Sequence, residues 1–329
     1  MIPYSFLDLA IVSQGNDITT TFENSVKSAQ IADQTGYTRY WFAEHHNMIS
    51  VASSATSVLI GHIAGKTSKI RVGSGGIMLP NHSPLVIAEH FGTLASLYPN
   101  RIDLGLGRAP GTDQITAAAL NPNFQTNVRH FPENVKQLQR YFSSKNGNAQ
   151  VRAIPGEGTD VPIWILGSST DSAYLASELG LPYAFASHFA PAQMIPAFDI
   201  YTHNYQSQTN PSKKMACVNV IIAKTEQEAE RIATSYYQMF LGMIRNQRNF
   251  LQAPIDSMEG IWEPGEEAYV RQMTACSFIG TKDIVKNKIE RFIKDLNLNE
   301  IMTSAPIFHL EDKLYSMNAF AEIMNELKS

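Results

Sequence analysis

Cysteine, charge and long apolar runs are all scarce in this chain. Its two cysteines, Cys217 and Cys276, are too few for a disulfide-stapled secreted scaffold or a four-thiolate zinc site. Only 17% of the residues are charged, and 26 basic against 30 acidic residues give a formal net charge of −4 without a long basic run. This balance disfavours non-specific nucleic-acid binding. No membrane-spanning run or signal peptide is evident, so we expect a soluble, cytoplasmic protein that binds neither nucleic acid nor membrane.

Short apolar runs alternate with helical patterns along the whole chain. Hydrophobic residues make up 44% of the 329 residues, enough to form a substantial core. Residues 247–276, which contain several prolines and glycines, interrupt the alternation as an insertion. Turn residues bound the predicted strands, which cover residues 6–12, 40–43, 70–73, 101–107, 162–166, 182–186, 216–223 and 300–304.

This alternation of eight strands with helices favours an α/β fold, a (β/α)8 barrel, formed as a single domain over residues 1–329. The alternative is an open doubly wound sheet, which usually carries a glycine-rich fingerprint at its first turn. The first turn here reads Ser13-Gln14-Gly15-Asn16 and does not match. A barrel places its active site at the carboxyl ends of the strands, so residues that follow each strand become the candidates.

One candidate is Gly167-Ser168-Ser169-Thr170, which opens a helix directly after the fifth strand. Backbone N–H groups at a helix start, together with serine and threonine hydroxyls, can bind a phosphate. Arg108 at the end of the neighbouring strand could add a bidentate contact. Plain helix capping by Ser169 or Thr170 is an equally good interpretation of the same residues.

A second candidate is the run Glu44-His45-His46 after the second strand. Adjacent side chains on extended backbone point in opposite directions, so one histidine can face the barrel mouth while the other points away. A neutral histidine can relay a proton near a cofactor, whereas a Glu–His pair can also be purely structural. A metal-dependent hydrolase with His45, His46 and His188 as ligands is a weaker alternative, because their spacing forms no recognisable ligand set, and we expect no metal.

Together these segments resemble the bacterial luciferase-like flavin monooxygenase family. The resemblance extends from about residue 5 to the C-terminus and is weakest in residues 112–160 and 247–272. The matching segments occur in the family's order, each at a predicted strand end. They are Phe6-Leu7-Asp8-Leu9, Trp41 to Asn47, Val72 to Pro84, Arg101 to Gly111, Trp164 to Ser169 and Gly180 to Phe189.

The resemblance implies a barrel that binds reduced FMN and uses O2 to oxygenate a small organic substrate. A separate NAD(P)H:flavin reductase would deliver the reduced FMN, and the chain would form a homodimer. His45 matches the acid/base histidine beside the flavin, and the Gly75-Gly76 peptide bond would be cis. By position, the resemblance assigns the FMN phosphate to Arg108, Ser168, Ser169 and Ser172. It assigns the isoalloxazine ring to Ser74, Gly75 and Gly76.

The sequence also departs from the family's pattern. Gly107 stands where the catalytic luciferase subunit has a reactive cysteine, and Ser83 stands in the place of a histidine. Light emission from a long-chain aldehyde is therefore not expected. Two alternatives on the same barrel stay open: a deazaflavin (F420) dependent hydride-transfer oxidoreductase and a non-catalytic flavin-binding protein.

Overall fold

The structure, a computed structural model, describes residues 2–207 and 210–327. Its centre is one parallel sheet of nine strands. The strands are β1 (Tyr4–Asp8), β2 (Arg39–Phe42), β3 (Arg71–Met78), β4 (Ile102–Gly107), β5 (Ile163–Gly167), β6 (Tyr183–Phe185), β7 (Lys214–Ile222), β8 (Ser277–Gly280) and β9 (Glu300–Ser304).

Eight of these strands close into a ring in the order β1-β2-β3-β4-β5-β6-β7-β9. Closure occurs because β9 pairs with both β1 and β7, while β6 also pairs with β7. This ring confirms the (β/α)8 barrel. The first strand ends earlier than predicted, at Asp8, because Ala10 adopts a left-handed backbone conformation with φ 47°, which extended strands do not accommodate.

Helices surround the ring and connect its strands. The first helix carries clear boundary signals: Asp17 accepts a hydrogen bond from the Thr20 backbone N–H at its start, and Gly36 ends it at φ 88°. The helices are α1 (Ile18–Thr35), α2 (Thr56–Ala64), α3 (Pro84–Leu97), α4 (Gln114–Leu120), α5 (Phe124–Arg129), α6 (Phe131–Phe142), α7 (Thr170–Glu178), α8 (Met194–Asn204), α9 (Glu226–Ile244), α10 (Pro264–Met273), α11 (Lys282–Leu296) and α12 (Leu310–Glu326).

The insertion near residues 247–276 is more regular than its sequence indicates. Its second half forms α10, where Pro264 takes the first helical turn and Glu263 and Glu266 form a capping box. Pro264 and Gly265, which the sequence pattern assigns to an irregular insertion, therefore mark the start of a helix. β8 follows and pairs with the second half of β7, and within the described residues it has no second strand partner, so it stands outside the ring.

The barrel interior is filled by its own apolar cluster. Trp41 and Trp164 meet edge to face at its centre, with ring centroids 5.5 Å apart. Cys217 belongs to this cluster, and burial raises the pKa of its thiol and that of Cys276, so both cysteines are buried and unreactive. Among the helices of the described ranges, none combines the length and the apolar character that crossing a membrane requires.

A buried ion-pair network lies at the amino-terminal end of the barrel. Arg39 donates from Nη1 to Asp103 Oδ2 and from Nε to Glu300 Oε1, both at 2.7 Å. Arg71 donates from Nη2 to Asp103 Oδ1 at 2.6 Å. The Arg39 guanidinium also lies 4.9 Å from the centroid of the Trp164 ring. Two cations and two carboxylates therefore balance one another at this end.

Candidate active site at the barrel mouth

A cavity of about 640 Å³ lies at the opposite, carboxyl-terminal end of the barrel. This volume falls within the roughly 300–1,000 Å³ of typical small-molecule sites. Its wall is mostly apolar and is formed by strand ends together with α9. Six of the predicted site residues line the cavity: His45, Gly75, Arg108, Ser168, Ser169 and Ser172.

The adjacent histidines after β2 have different partners. His45 lines the cavity, whereas His46 Nε2 lies 2.9 Å from Oε1 of the buried Glu44. Glu44 also contacts the His82 ring at 2.8 Å and accepts from the Met78 backbone N–H at 3.0 Å. Burial disfavours the ionised carboxylate, but these donors outweigh burial and hold the pKa of Glu44 at about 2. His46 is therefore structural, and His45 is accessible to a ligand.

His188 is the second imidazole on the cavity wall. Burial lowers the pKa of His45 despite the nearby Glu44 carboxylate. Burial, with a smaller contribution from His45, lowers the pKa of His188 to about 3. Both rings are therefore neutral at pH 7. Across the described ranges, neither Nδ1 atom has a hydrogen-bond partner, so each ring keeps one nitrogen uncommitted.

These histidines do not assemble as a metal site. His46 pairs with Glu44 and does not line the cavity, so it is not available to join His45 and His188. In the part of the chain that the structure describes, no three His, Cys, Asp or Glu side chains are placed to hold a metal ion.

The turn from β5 to α7 forms a polar part of the wall. Gly167 is required in it, because a Cβ there would lie 1.7 Å from Ser172 Oγ. Ser172 Oγ donates to the Ser169 carbonyl oxygen at 2.9 Å, which ties the turn together. Ser169 is the N-cap residue of α7, yet its side chain makes no capping hydrogen bond. Within the described residues, the Ser168 and Ser169 hydroxyls are therefore uncommitted, and helix capping does not account for them.

Arg108 lies beside this turn, at the carboxyl end of β4. Its Nη2 is 3.0 Å from Oδ2 of Asp171, in the first turn of α7. The two side chains are 47% and 66% exposed, so their ion pair is weak. The guanidinium is thus placed at the helix start, where a carboxylate currently pairs with it.

The β3 segment contributes less to the cavity than predicted. The Gly75-Gly76 peptide bond is cis, as expected, and Gly75 lines the cavity. Ser74 is fully buried; its Oγ donates to the Gly105 carbonyl oxygen at 2.9 Å and accepts from the Gly105 N–H at 3.0 Å. Gly76 is not part of the wall and packs closely against Gly105. The Ser74 side chain therefore joins two strands and is not available to a ligand, which corrects that prediction.

Sequence reasoning missed the wall formed by β7, α9 and the loop after α9. Asn219 and Tyr236 line the cavity, and Asn219 Nδ2 donates to the Tyr236 hydroxyl oxygen at 2.7 Å. Asn219 could have been found, because it is the one polar residue in the apolar run ACVNVIIA. The loop residues 247–250 also line the cavity, but only long-range contacts bring them there.

Residues 5–298 match the family described as luciferase-like monooxygenase. A luciferase-like monooxygenase of Escherichia coli (strain K12) is 44% identical over 328 residues, which cover 99% of this chain and 98% of the relative. The N-acetyl-S-alkylcysteine monooxygenase of Bacillus subtilis (strain 168) is 31% identical over 333 residues, which cover 98% of each chain.

Solved structures share the same architecture. Apo-MsnO8 gives a TM-score of 0.92 at 30% identity and covers 99% of both chains. The TM-score is 0.75 for the oxygenating constituent of 3,6-diketocamphane monooxygenase from Pseudomonas putida, solved in complex with FMN. This protein is 17% identical, and the match covers 98% of this chain and 97% of the other. An F420-dependent secondary alcohol dehydrogenase with an F420–acetone adduct gives 0.72 at 12% identity, covering 100% and 99%. The last two show the fold alone, whereas the family match and the relatives at 44% and 31% identity show that this chain belongs to the luciferase-like monooxygenase family.

Proposed function

We propose that this protein is an FMN-dependent oxidoreductase, a two-component monooxygenase that uses reduced FMN and O2 to oxygenate a small organic substrate. The observation that carries the proposal is the composition of one cavity wall. It combines a broad apolar surface, a helix start with uncommitted serine hydroxyls, and a neutral histidine. Membership of the family and the FMN complex of a protein with the same fold support it.

The residues present fit the phosphate end of FMN. Arg108, Ser168 and Ser169 would hold the phosphate at the start of α7, a helix of nine residues whose dipole favours an anion. Ser172 would act mainly by fixing the turn. The pair of Arg108 with Asp171 would open to admit the phosphate, and opening an exposed pair costs little.

The residues also fit the ring end of FMN. Gly75 lines the cavity and carries no side chain of its own, and the apolar Leu7 lines the cavity with it, so a flat ring could lie against this part of the wall. Bound reduced FMN would supply the electrons that activate O2. His45, neutral at pH 7, lines the cavity, and its imidazole would accept a proton there and return it. The apolar side chains Met239 and Phe240 of α9 would exclude water from the reacting groups.

The proposal includes the partners implied by the resemblance. A separate NAD(P)H:flavin reductase would deliver reduced FMN to the cavity, and the chain would act as a homodimer. Reconstitution with a flavin reductase would then support turnover on NAD(P)H, and sedimentation equilibrium would give twice the mass of one chain.

Isotope labelling tests the reaction type. The purified protein is mixed with chemically reduced FMN, oxygen gas enriched in a heavy isotope, and a panel of small organic compounds. The panel includes N-acetyl-S-methylcysteine, because one relative is an N-acetyl-S-alkylcysteine monooxygenase. We expect a product that carries a single heavy oxygen atom, and we expect His45→Gln to lower its yield while FMN still binds.

Two results would contradict this function, and a third would remove the role proposed for His45. A product without the heavy isotope would exclude oxygen transfer from O2. A product formed with reduced F420 in the absence of oxygen would instead support hydride transfer, the activity class of the F420-dependent dehydrogenase that shares the fold. Full turnover in the His45→Ala protein would remove the proposed proton transfer.

A further inference from the structure

A second cation lines the cavity and has no role in the phosphate site. Arg248 belongs to the loop after α9 and is exposed to the cavity. Its neighbour Arg245 pairs with Glu266 at 2.7 Å. By contrast, across residues 2–207 and 210–327, no hydrogen bond or ion pair engages the Arg248 guanidinium. All the N–H groups of the Arg248 guanidinium are therefore available to a ligand.

Backbone hydrogen bonds on both sides of Arg248 fix the base of its side chain. The Gln247 N–H donates to the Gly242 carbonyl oxygen at 2.7 Å. The Leu251 N–H donates to the Val12 carbonyl oxygen at 2.9 Å, which fastens the loop to the segment after β1. Arg248 lies between these two anchors, so its backbone, and with it the base of its side chain, is held at the cavity wall.

Arg248 and Arg108 approach the cavity from different sides of the barrel. The loop of Arg248 is bonded to the segment after β1, whereas Arg108 follows β4 and contacts α7, which follows β5. In the closed ring, β5 is four strands away from β1 in either direction. Arg248 is thus placed to meet a different group from the phosphate that Arg108 would hold.

The charges of the wall favour an anion at this second position. No aspartate or glutamate belongs to the cavity-lining residues of the described chain. His45 and His188 are neutral at pH 7, so they neither oppose an anion nor replace Arg248 as its partner. A ligand ammonium would find no carboxylate here. A guanidinium binds a carboxylate through two parallel hydrogen bonds, which gives both strength and orientation.

We infer that the substrate is a small organic acid, whose carboxylate binds Arg248 and whose apolar part packs against Met239, Phe240 and Phe250. The inference rests on the proposed function, since it takes this cavity as the place where the substrate is oxygenated. Arg248 is then the residue that determines specificity, while Arg108 serves the cofactor.

Calorimetric titration with a matched ligand pair tests the inference. Octanoate and octanamide have the same chain length and differ in charge. We expect octanoate to bind the purified protein about tenfold more tightly than octanamide, because a charge-assisted contact is added. Arg248→Ala removes this preference and leaves octanamide binding unchanged, while Arg248→Lys retains part of it. Arg245→Ala is the matched control and leaves both affinities unchanged.

Reduced FMN is titrated into the same proteins without oxygen, so that failure of the flavin function can be distinguished from failure of the carboxylate site. Selective octanoate binding without FMN binding would support the acid site and refute the flavin function. Three results overturn the acid site: no octanoate binding at millimolar concentration, equal affinity for the two ligands, or unchanged octanoate affinity in Arg248→Ala. An equal loss of FMN affinity in Arg248→Ala would assign this arginine to the cofactor and also overturn the inference.

Discussion

The two ends of the barrel use charge in opposite ways. At the amino-terminal end, the four charged residues of the ion-pair network bind one another at 2.6–2.7 Å. At the carboxyl-terminal end, Arg108 has only an exposed partner, and Arg248, His45 and His188 keep uncommitted nitrogen atoms within the described residues. Removing one partner from a buried ion pair costs several kcal/mol, so the fold depends on the first arrangement, whereas the exposed arginines of the second can take up another partner. The two ends therefore differ in how their charged residues are paired more than in the residue types that they contain.

Glu44 shows that position alone does not decide this role. It lies near the barrel mouth, yet it is buried and accepts hydrogen bonds from His46, His82 and the Met78 backbone. In being buried and fully hydrogen-bonded, Glu44 resembles the carboxylates of the ion-pair network at the other end. Its neighbour His45, one residue along the chain, is the group that lines the cavity.

The largest effect is expected from breaking the amino-terminal network. Arg39→Ala leaves Asp103 and Glu300 buried without their shared cation, so the free energy of unfolding falls by about 3–5 kcal/mol in urea titrations. Arg291→Ala, which removes an exposed pair with Asp295, leaves the melting temperature unchanged. If Arg39→Ala lowered the free energy of unfolding by less than about 1 kcal/mol, the amino-terminal end would not depend on its ion pairs.

Glu44→Gln tests whether Glu44, although it lies near the barrel mouth, stabilises the fold, and its effect on stability should depend on pH. The pKa of Glu44 in the fold, about 2, lies below its ordinary value of 4.5. The ionised carboxylate therefore stabilises the fold above about pH 4.5, and this stabilisation is lost as pH falls towards 2. Glu44→Gln lowers the free energy of unfolding by about 3 kcal/mol at pH 7 and reduces the loss of stability between pH 4.5 and 2. The control is Glu290→Gln at an exposed position, for which urea titration at pH 7 should give the free energy of unfolding of the unsubstituted chain.

Arg108→Ala should affect binding and spare stability. Loss of a charge-assisted hydrogen bond to phosphate weakens FMN affinity by about 1–3 kcal/mol, measured by equilibrium titration. Unfolding is unchanged, because the exposed pair with Asp171 contributes little. Arg152→Ala, which breaks another pair of a partly exposed arginine, is the control for FMN affinity. Equal FMN affinity in all three proteins would remove Arg108 from the phosphate site.

The smallest effect, and one of opposite sign, is expected for Asp171→Asn. This change removes the carboxylate that pairs with Arg108 and repels a phosphate at the start of α7. FMN should therefore bind a few-fold more tightly, an effect below about 1 kcal/mol. Weaker FMN binding in the same titration would indicate that Asp171 contacts the cofactor directly.

Local patterns allowed the ring strands, and the strand ends that carry six of the cavity-lining residues, to be predicted. Each ring strand is a short apolar run with turn residues at its ends, and parallel strands bring their carboxyl ends together, so His45, Arg108 and Ser168 could be placed at one mouth. The direction of Ser74 could not, because it depends on how β3 registers against β4. The placement of Arg248 at the cavity depends in part on the hydrogen bond of Leu251 with Val12, which joins segments far apart in the chain.

The most direct test of the account is equilibrium binding of reduced FMN to the purified protein in the absence of oxygen, with oxidised FMN and F420 titrated in parallel. We expect reduced FMN to saturate one site per chain, to bind more tightly than the other two, and to bind less tightly to Arg108→Ala. Absence of saturable binding of reduced FMN, or tighter binding of F420, would contradict the assignment of this cavity to FMN.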